Sequence, residues 1–369
     1  MITLPHPSQI IKPNWLQLIR EEAPVAENAR SLTEKQLQLI YDQKWFKLFV
    51  PKEIGGLEEA LPEAIALEEA LAWADGSFGW TVTLCSGAGW FVGFLNSDFA
   101  TEVFRSDKVC LGGSGAPTGK AEITENGYSI SGRWKYATGS AHLTHFTSNC
   151  IVTKNNEPIL DKSGEILILP FVFHKSQVSV IPDWNTIGLI ATSSNAFEVQ
   201  DLAVPVQRSF KIDAEAAKID QPVYRYPFLQ FAEATLAANI SGMALHFIDC
   251  AKDVFSKRKE NKKFTEPQEQ VMIDAITAAK SKLGDARSDF YQAVNKSWKI
   301  HKTGGLENLQ VLEEVSIASR NLASVARSQV DKLFPLCGLI AVDPCTEINR
   351  VWRDIHTASQ HTLLNSPYS

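Results

Sequence analysis

The sequence predicts a mainly α-helical protein with a central β-domain, and three observations support this fold class. Apolar residues recur at helical spacing through residues 14–48. Short apolar stretches separated by turn residues follow between 109 and 208, the pattern of a β-barrel or β-sandwich. Four long helical segments after residue 208 predict a four-helix bundle. We therefore expect three domains, at 1–108, 109–208 and 209–369.

The composition is typical of an enzyme with a small-molecule substrate. The chain has 369 residues, of which 44% are hydrophobic and 21% are charged. A net charge of −6 argues against a nucleic-acid or anionic-membrane partner. The most apolar run, 78–95, is shorter than the roughly 20 residues of a membrane span. Because the first residues show no secretion signal, we expect a cytoplasmic protein.

The six cysteines predict no metal centre and no disulfide framework. They are scattered along the chain without a Cys-x-x-Cys motif and without a histidine at a ligand spacing. We therefore expect reduced, buried thiols.

The first domain consists of predicted helices separated by glycine and proline breaks. Two amphipathic helices occupy 14–48, and a Pro-x-x-x-Gly-Gly-Leu loop at 51–57 precedes a helix at 61–74. An Asp-Gly-Ser break at 75–77 then leads into the apolar run 78–95, which we interpret as a buried helix.

The most informative stretch is 127–145, GYSISGRWKYATGSAHLTH. Its first residues alternate as in a half-buried strand, and Trp134 and Tyr136 precede Thr138-Gly139-Ser140. Taken alone, these residues are more typical of core aromatics followed by an ordinary turn than of a ligand site.

This stretch resembles the flavin-contacting strand of the acyl-CoA dehydrogenase superfamily. The dehydrogenases usually have Lys at the position of Trp134 and Asn at that of Gly139. The Gly-Arg-Trp-x-aromatic-Ala-Thr-Gly version is similar instead to the flavin-dependent monooxygenase branch. The resemblance implies that Trp134, Tyr136 and Ala137 lie along a flavin ring and that Thr138 forms a hydrogen bond near flavin N5.

Other segments extend the resemblance. The glycine-rich stretch 111–119 corresponds to the superfamily loop at the flavin pyrimidine edge, which implies contacts from Gly113 and Ser114. Arg258 resembles the arginine that meets the flavin phosphate. The helix at 78–95 borders the substrate cavity in the family, so its candidate pocket residues are Cys85, Ser86 and Trp90.

The last predicted helix, 346–363, provides the second informative pattern. Arg353, Thr357 and His361 share one helical face at 100° per residue. Arg353 resembles the arginine that opens the last active-site helix of the superfamily, which implies a cofactor contact. The dehydrogenases best known to us place a catalytic Glu nine positions later, where this chain has Thr362, whereas the monooxygenase branch has a His eight positions later, which matches His361.

The resemblance therefore implies the acyl-CoA dehydrogenase-like fold and an FAD- or FMN-dependent monooxygenase. Such an enzyme oxygenates a small organic substrate, with an aromatic compound as one expectation, through a flavin C4a-hydroperoxide. Thr138 and His361 would be its catalytic residues, His361 as an acid–base group. A separate flavin reductase and a homotetramer are also implied.

Two alternatives remain open at this point. An acyl-CoA dehydrogenase would need a carboxylate from another helix, for which the region of Glu233 is the candidate. A non-catalytic member is the other alternative, because Ile190 replaces a common Arg of the loop 184–194 and the glycine-rich loop is loose.

Overall fold

The computed structural model describes residues 4–260, 265–304 and 309–365. The described chain forms a group of helices, then a sheet, then a second group of helices. Within those ranges, every helix is too short or too polar to cross a lipid bilayer.

The first group contains five α-helices: α1 Pro13–Ala29, α2 Glu34–Asp42, α3 Leu61–Ala74, α4 Gly76–Gly89 and α5 Ser97–Phe104. Asp75 separates α3 from α4, and its Oδ1 accepts a hydrogen bond of 3.0 Å from the Phe78 N–H, which caps α4. Gly79 lets the two helices approach closely, since a Cβ there would lie 2.4 Å from Ala72 Cα. As a result, α4 is buried almost throughout.

Seven strands form one mixed sheet, in the order β4-β3-β1-β2-β7-β6 with β5 also paired to β3. The strands are β1 Leu111–Thr124, β2 Gly127–Ala137, β3 His145–Lys154, β4 Glu157–Pro158, β5 Ile168–His174, β6 Ser179–Ile181 and β7 Asn195–Val204. Only the β1–β3 pair is parallel among these described strands. The register of that pair shifts between Ser114 and Gly119, so β1 bulges in its glycine-rich part.

The second group contains the long helices α7 Phe228–Glu260, α8 Glu266–Lys302 and α9 Leu309–Cys337, with the shorter α6 Pro222–Arg225, α10 Leu339–Val342 and α11 Glu347–Ala358. The sequence predicted the third long helix from Leu306, which lies outside the described residues. It also predicted the last helix to residue 363. That helix ends at Ala358, because the chain tightens into turns at Ser359 and Gln360.

These elements confirm the mainly α fold class with a central β-domain. The strands lie between Leu111 and Val204, inside the predicted 109–208 segment. The domain boundaries at 108 and 208 themselves stay a prediction.

A buried ion pair joins the two groups of helices. Glu69 of α3 accepts hydrogen bonds from Arg287 Nε at 2.8 Å and Arg287 Nη2 at 2.7 Å. The Tyr291 hydroxyl donates to the same carboxylate at 2.8 Å, and the Ser241 hydroxyl at 2.5 Å. Both charged side chains are almost fully buried. The carboxylate is therefore satisfied only while α3, α7 and α8 stay in place.

We expect Arg287→Met to lower the free energy of unfolding by about 3–5 kcal/mol, because it leaves the buried Glu69 carboxylate without its cation. Urea unfolding followed by circular dichroism measures this. The control is Arg225→Met, which removes the exposed pair with Asp220 and should cost less than about 1 kcal/mol. A similarly small loss for Arg287→Met would contradict the prediction.

Candidate active site

A cavity of about 250 Å³ lies where the two groups of helices meet the sheet. Its walls come from α4, the first residues of β1, Thr138 after β2, the middle of β3, the first turns of α7 and the segment after α11. Most of the wall is apolar, and Phe91, Phe228 and Phe231 supply aromatic rings to it. Such a cavity suits an apolar or aromatic ligand fixed by a few polar groups.

Three hydroxyl groups form a hydrogen-bonded chain. The direction of its hydrogen bonds decides whether Thr138 can donate or accept a hydrogen bond in the cavity. Thr192 Oγ1 donates its proton to the Leu189 carbonyl at 2.8 Å. It must therefore accept from Ser194 Oγ, 2.7 Å away, and Ser194 must in turn accept from Thr138 Oγ1 at 2.9 Å. Because the single hydroxyl proton of Thr138 is used in this way, its oxygen presents lone pairs and acts as an acceptor toward a ligand.

The last helix holds this hydroxyl chain in place. Asp354 Oδ1 accepts a hydrogen bond of 2.5 Å from the Leu189 N–H, next to the carbonyl at which the chain ends. Gly188 packs against α11 so closely that a Cβ would lie 2.0 Å from the Arg353 carbonyl oxygen. Burial first, and then the neighbouring Asp75, raise the pKa of Asp354 to about 8.

His361 lines the same cavity as Thr138. It follows α11 and begins a short 3₁₀ turn, so it does not continue the helical stripe of Arg353 and Thr357 that the sequence predicted. Its Nδ1 accepts from the Leu363 N–H at 3.4 Å, and its ring lies 6.1 Å from that of Trp80. Burial lowers the pKa of His361, so the ring is neutral at pH 7.

The tautomer of this neutral ring follows from its hydrogen bond. Because Nδ1 accepts, the proton resides on Nε2. Nε2 has no hydrogen-bond partner within the described part of the chain. The cavity therefore contains an acceptor, Thr138, and a free donor, His361.

Among the described residues that line the cavity, none carries a carboxylate. Glu233, the candidate base of the dehydrogenase alternative, lies on another face of α7. There it pairs with Arg320 at 3.2 Å and accepts from the Ser316 hydroxyl. Proton abstraction by a carboxylate at this cavity has no candidate residue.

The comparisons with known proteins agree with this geometry. Residues 234–366 match the family model of the acyl-CoA dehydrogenase C-terminal domain. The oxygenase subunit HsaA of a flavin-dependent monooxygenase from Rhodococcus jostii (strain RHA1) is 26% identical, over 95% of this chain and 93% of that protein. The indole-3-acetate monooxygenase of Pseudomonas putida is also 26% identical, over 86% of this chain and 80% of its own.

Solved structures show the same fold. XiaF from Streptomyces sp., in complex with FADH2 and glycerol, superposes with a TM-score of 0.85 at 19% identity, covering 95% of this chain and 90% of that one. The chain is thus similar over most of its length to flavin-dependent monooxygenases. The superfamily fold that the sequence implied is thus confirmed.

The structure brings only part of the superfamily's flavin-strand pattern to the cavity. Gly113 and Ser114 line it together with Thr138. Ala137 is buried beside it, and Tyr136 lies outside, 67% exposed, with its ring 6.2 Å from that of Trp184. Tyr136 has a φ of 68°, which turns the chain at the end of β2.

Trp134 does not line the cavity. Its ring is 1% exposed and packs between strands, where a Cβ on Gly119 or Gly132 would clash with it. Its Nε1 donates to the Asn149 carbonyl at 2.9 Å. The structure thus places Trp134 in the core of the sheet, and its contact with a flavin ring stays a prediction.

The three predicted substrate residues, Cys85, Ser86 and Trp90, do not line the cavity. Their neighbours Thr83, Leu84, Gly87, Ala88 and Phe91 do. Cys85 and Ser86 are buried outside its wall, and the Trp90 Nε1 donates to the Val223 carbonyl at 2.9 Å. Because α4 is apolar on all sides, its sequence gave no indication of which face meets the cavity.

Neither of the two arginines predicted to contact the cofactor, Arg258 and Arg353, lines the cavity. Arg353 Nη1 pairs with Glu27 at 2.6 Å and donates to the Ile187 carbonyl at 2.8 Å. Arg258 Nη1 donates at 2.8 Å to the Leu336 carbonyl, near the end of α9. Contacts of these two residues with a cofactor stay predictions.

The residues present fit the ring of a flavin better than its phosphates. The cavity offers apolar walls, a hydroxyl acceptor and an imidazole donor. The exposed Tyr136 ring lies near the end of β2, two residues before Thr138. Sequence reasoning missed Thr192 and Ser194 as supports of Thr138, although the superfamily-like loop 184–194 contains both. It also missed the aromatic residues of α7, which are indistinguishable from core residues in the sequence.

A protonated carboxyl group lies behind α4. Glu68 of α3 is fully buried, and burial raises its pKa to about 8, against a usual value of 4.5. Its Oε1 accepts from the Ser86 hydroxyl at 3.1 Å, while Oε2 has no partner among the described residues. This explains the burial of Ser86 away from the cavity.

Glu68 should make the folded protein less stable as the pH rises. The unfolded chain releases this proton near pH 4.5 and the folded chain near pH 8, so the free energy of unfolding falls by about 1.4 kcal/mol per pH unit between them. Glu68→Gln does not titrate, and its stability relative to the parent should increase steadily from about pH 5 to pH 8. Urea unfolding at several pH values tests this, with the exposed Glu53→Gln as control. Parallel pH curves for Glu68→Gln and the parent would disprove it.

Proposed function

We propose that this protein is the oxygenase component of a flavin-dependent monooxygenase that hydroxylates a small aromatic substrate. The observation that carries the proposal is the mostly apolar cavity, lined by Thr138 and His361 and, among the described residues, by no carboxylate. The names of the relatives, a flavin-dependent monooxygenase and an indole-3-acetate monooxygenase, support it.

A bound reduced flavin, FAD or FMN, would supply the electrons for activation of O₂, so that one oxygen atom enters the substrate and the other leaves as water. The residues of this chain then have three tasks. Apolar walls such as Phe91 and Phe231 exclude water and hold a flat substrate. Thr138 would accept a hydrogen bond from the flavin ring system. His361 would donate one from Nε2 to an oxygen atom of the reacting groups, flavin-activated O₂ and substrate.

The relative from Rhodococcus jostii is named as an oxygenase subunit, which supports a separate flavin reductase as a partner of this protein. A protein that receives its flavin already reduced should bind the reduced form more tightly than the oxidised form. We also propose a cytoplasmic location, in line with six free cysteines.

The direction of the hydrogen bonds in the hydroxyl chain should favour binding of reduced over oxidised flavin. Reduced flavin has an N5–H donor that an acceptor at Thr138 matches, whereas oxidised flavin offers only an acceptor there. Ser194→Ala removes the acceptor of the Thr138 proton and frees Thr138 to donate. We expect the ratio of the dissociation constants, oxidised over reduced, to fall about fivefold, which corresponds to one hydrogen bond of about 1 kcal/mol.

Anaerobic titration of both flavin forms measures this ratio without any turnover. Ser176→Ala, an exposed serine on the sheet surface, is the matched control and should leave the ratio unchanged. An unchanged ratio in Ser194→Ala refutes the assigned polarity. Failure of the parent protein to bind any form of FMN or FAD refutes the proposed function itself.

His361→Ala should lower the rate at which hydroxylated product forms by roughly 10²–10⁴-fold, the range of acid–base assistance, and should lower the amount of product per O₂ consumed. The fold and flavin binding should persist, because the ring makes only one long hydrogen bond within the described part of the chain. Thr362→Ala, the exposed neighbour, is the control. Full coupling in His361→Ala would reject the role of His361, and acyl-CoA oxidation with an artificial acceptor would favour the dehydrogenase alternative.

We also propose a homotetramer assembled through the second group of helices. Large apolar side chains of that group are exposed at both ends of α9, including Leu309 at 78%, Leu339 at 85% and Val342 at 54%. Light scattering at micromolar concentration should give four times the 40.8 kDa chain mass, and Leu339→Glu should shift the protein to smaller species. A monomeric parent protein would contradict the proposal.

A further inference from the structure

Three metal-ligand side chains that are distant in sequence meet beside the cavity. The Sγ atoms of Cys85 and Cys110 and a ring nitrogen of His142 all lie within 4.8 Å of one another. Cys85 belongs to α4, Cys110 immediately precedes β1, and His142 follows β2. The sequence did not indicate this group, because the three residues come from three different elements and show no motif spacing.

The second observation concerns the hydrogen bonding of the two ring nitrogens of His142. Both of its nitrogens are shielded from solvent, and neither has a hydrogen-bond partner among the described residues. A buried polar group is normally paired, so two unpaired nitrogens on one ring require an explanation. Phe46 fixes the ring orientation by stacking on it, with centroids 5.6 Å apart and planes 13° from parallel.

The geometry at Gly139 indicates which atoms face each other. A Cβ at Gly139 would lie 2.9 Å from His142 Nε2 and 3.1 Å from Cys85 Sγ, so both atoms border the same small space. Gly139 has a φ of 79°, a conformation that favours glycine. The turn can therefore bring the imidazole next to the thiol without a side chain between them.

We propose that Cys85, Cys110 and His142 form a structural zinc site. Two thiolates and a neutral imidazole around Zn²⁺ have no net charge, which makes this the divalent complex most compatible with a buried position. Ligand atoms in a tetrahedral zinc site are about 3.8 Å apart, so the three side chains have to close by about 1 Å at most. Binding releases the two thiol protons to solvent.

The fourth ligand would come from the immediate surroundings. Cys85 Sγ lies 3.8 Å from the Thr138 carbonyl oxygen, which is one candidate. The site would fasten α4, β1 and the turn after β2, which form three walls of the cavity.

Elemental analysis of the full chain, purified without chelator, tests the proposal. We expect one zinc per chain in the parent protein and at least a tenfold loss in Cys110→Ala and in His142→Phe, which keeps the stacking on Phe46. Cys150→Ala, another buried thiol outside the group, should retain the metal. Parent protein without zinc, or equal zinc in all variants, overturns the proposal.

A second measurement does not depend on folding of the variants. Replacement of zinc by Co²⁺ in the parent should give thiolate charge-transfer absorption and the visible bands of a tetrahedral site. A strong chelator should lower the thermal midpoint of the parent and of Cys150→Ala but not that of His142→Phe. A Cys85–Cys110 disulfide in the parent as purified, or a cobalt spectrum without thiolate bands, would reject the zinc site.

Discussion

The hydrogen bond from the Leu189 N–H to Asp354 is the contact on which the cavity depends. It joins the last helix to the loop 184–194, and the Leu189 carbonyl in turn receives the Thr192 proton that begins the hydroxyl chain to Thr138. A shift of α11 would therefore release the acceptor at the cavity. Burial raises the pKa of Asp354, so this contact is made by a carboxyl group that holds its proton to a higher pH than an exposed one.

The sequence was sufficient for the fold class, and it singled out Thr138 and His361, which both line the cavity. Helical spacing, short strands and the pattern around Thr138 reflect local physics and are visible in a single chain. His361 was found by its distance from Arg353, although the helix ends at Ala358 before reaching it. The prediction of His361 therefore rested on resemblance, since the helical stripe that also suggested it does not exist.

Tertiary packing decided what the sequence could not. The helix α4 is apolar on every side, so its cavity face became visible only when α3 and α7 covered the other faces. Trp134 shows a second ambiguity of the sequence. An aromatic residue beside glycines is compatible with a flat ligand, and it is equally compatible with a strand whose glycines make room for the ring itself. The group of Cys85, Cys110 and His142 depends on three separate elements, and no local pattern encodes it.

The buried polar groups of α3 explain how an apolar cavity can keep its shape. Glu68 holds Ser86 on the back of α4, and Glu69 ties α3 to Arg287 of α8. On the cavity side, Asn239 of α7 donates to the Thr83 hydroxyl at 2.7 Å. Each of these residues forms at least one hydrogen bond with a neighbouring helix. The acceptor at Thr138 and the donor at His361 lie in a mostly apolar wall, an environment of low polarity where each hydrogen bond to a ligand is strengthened.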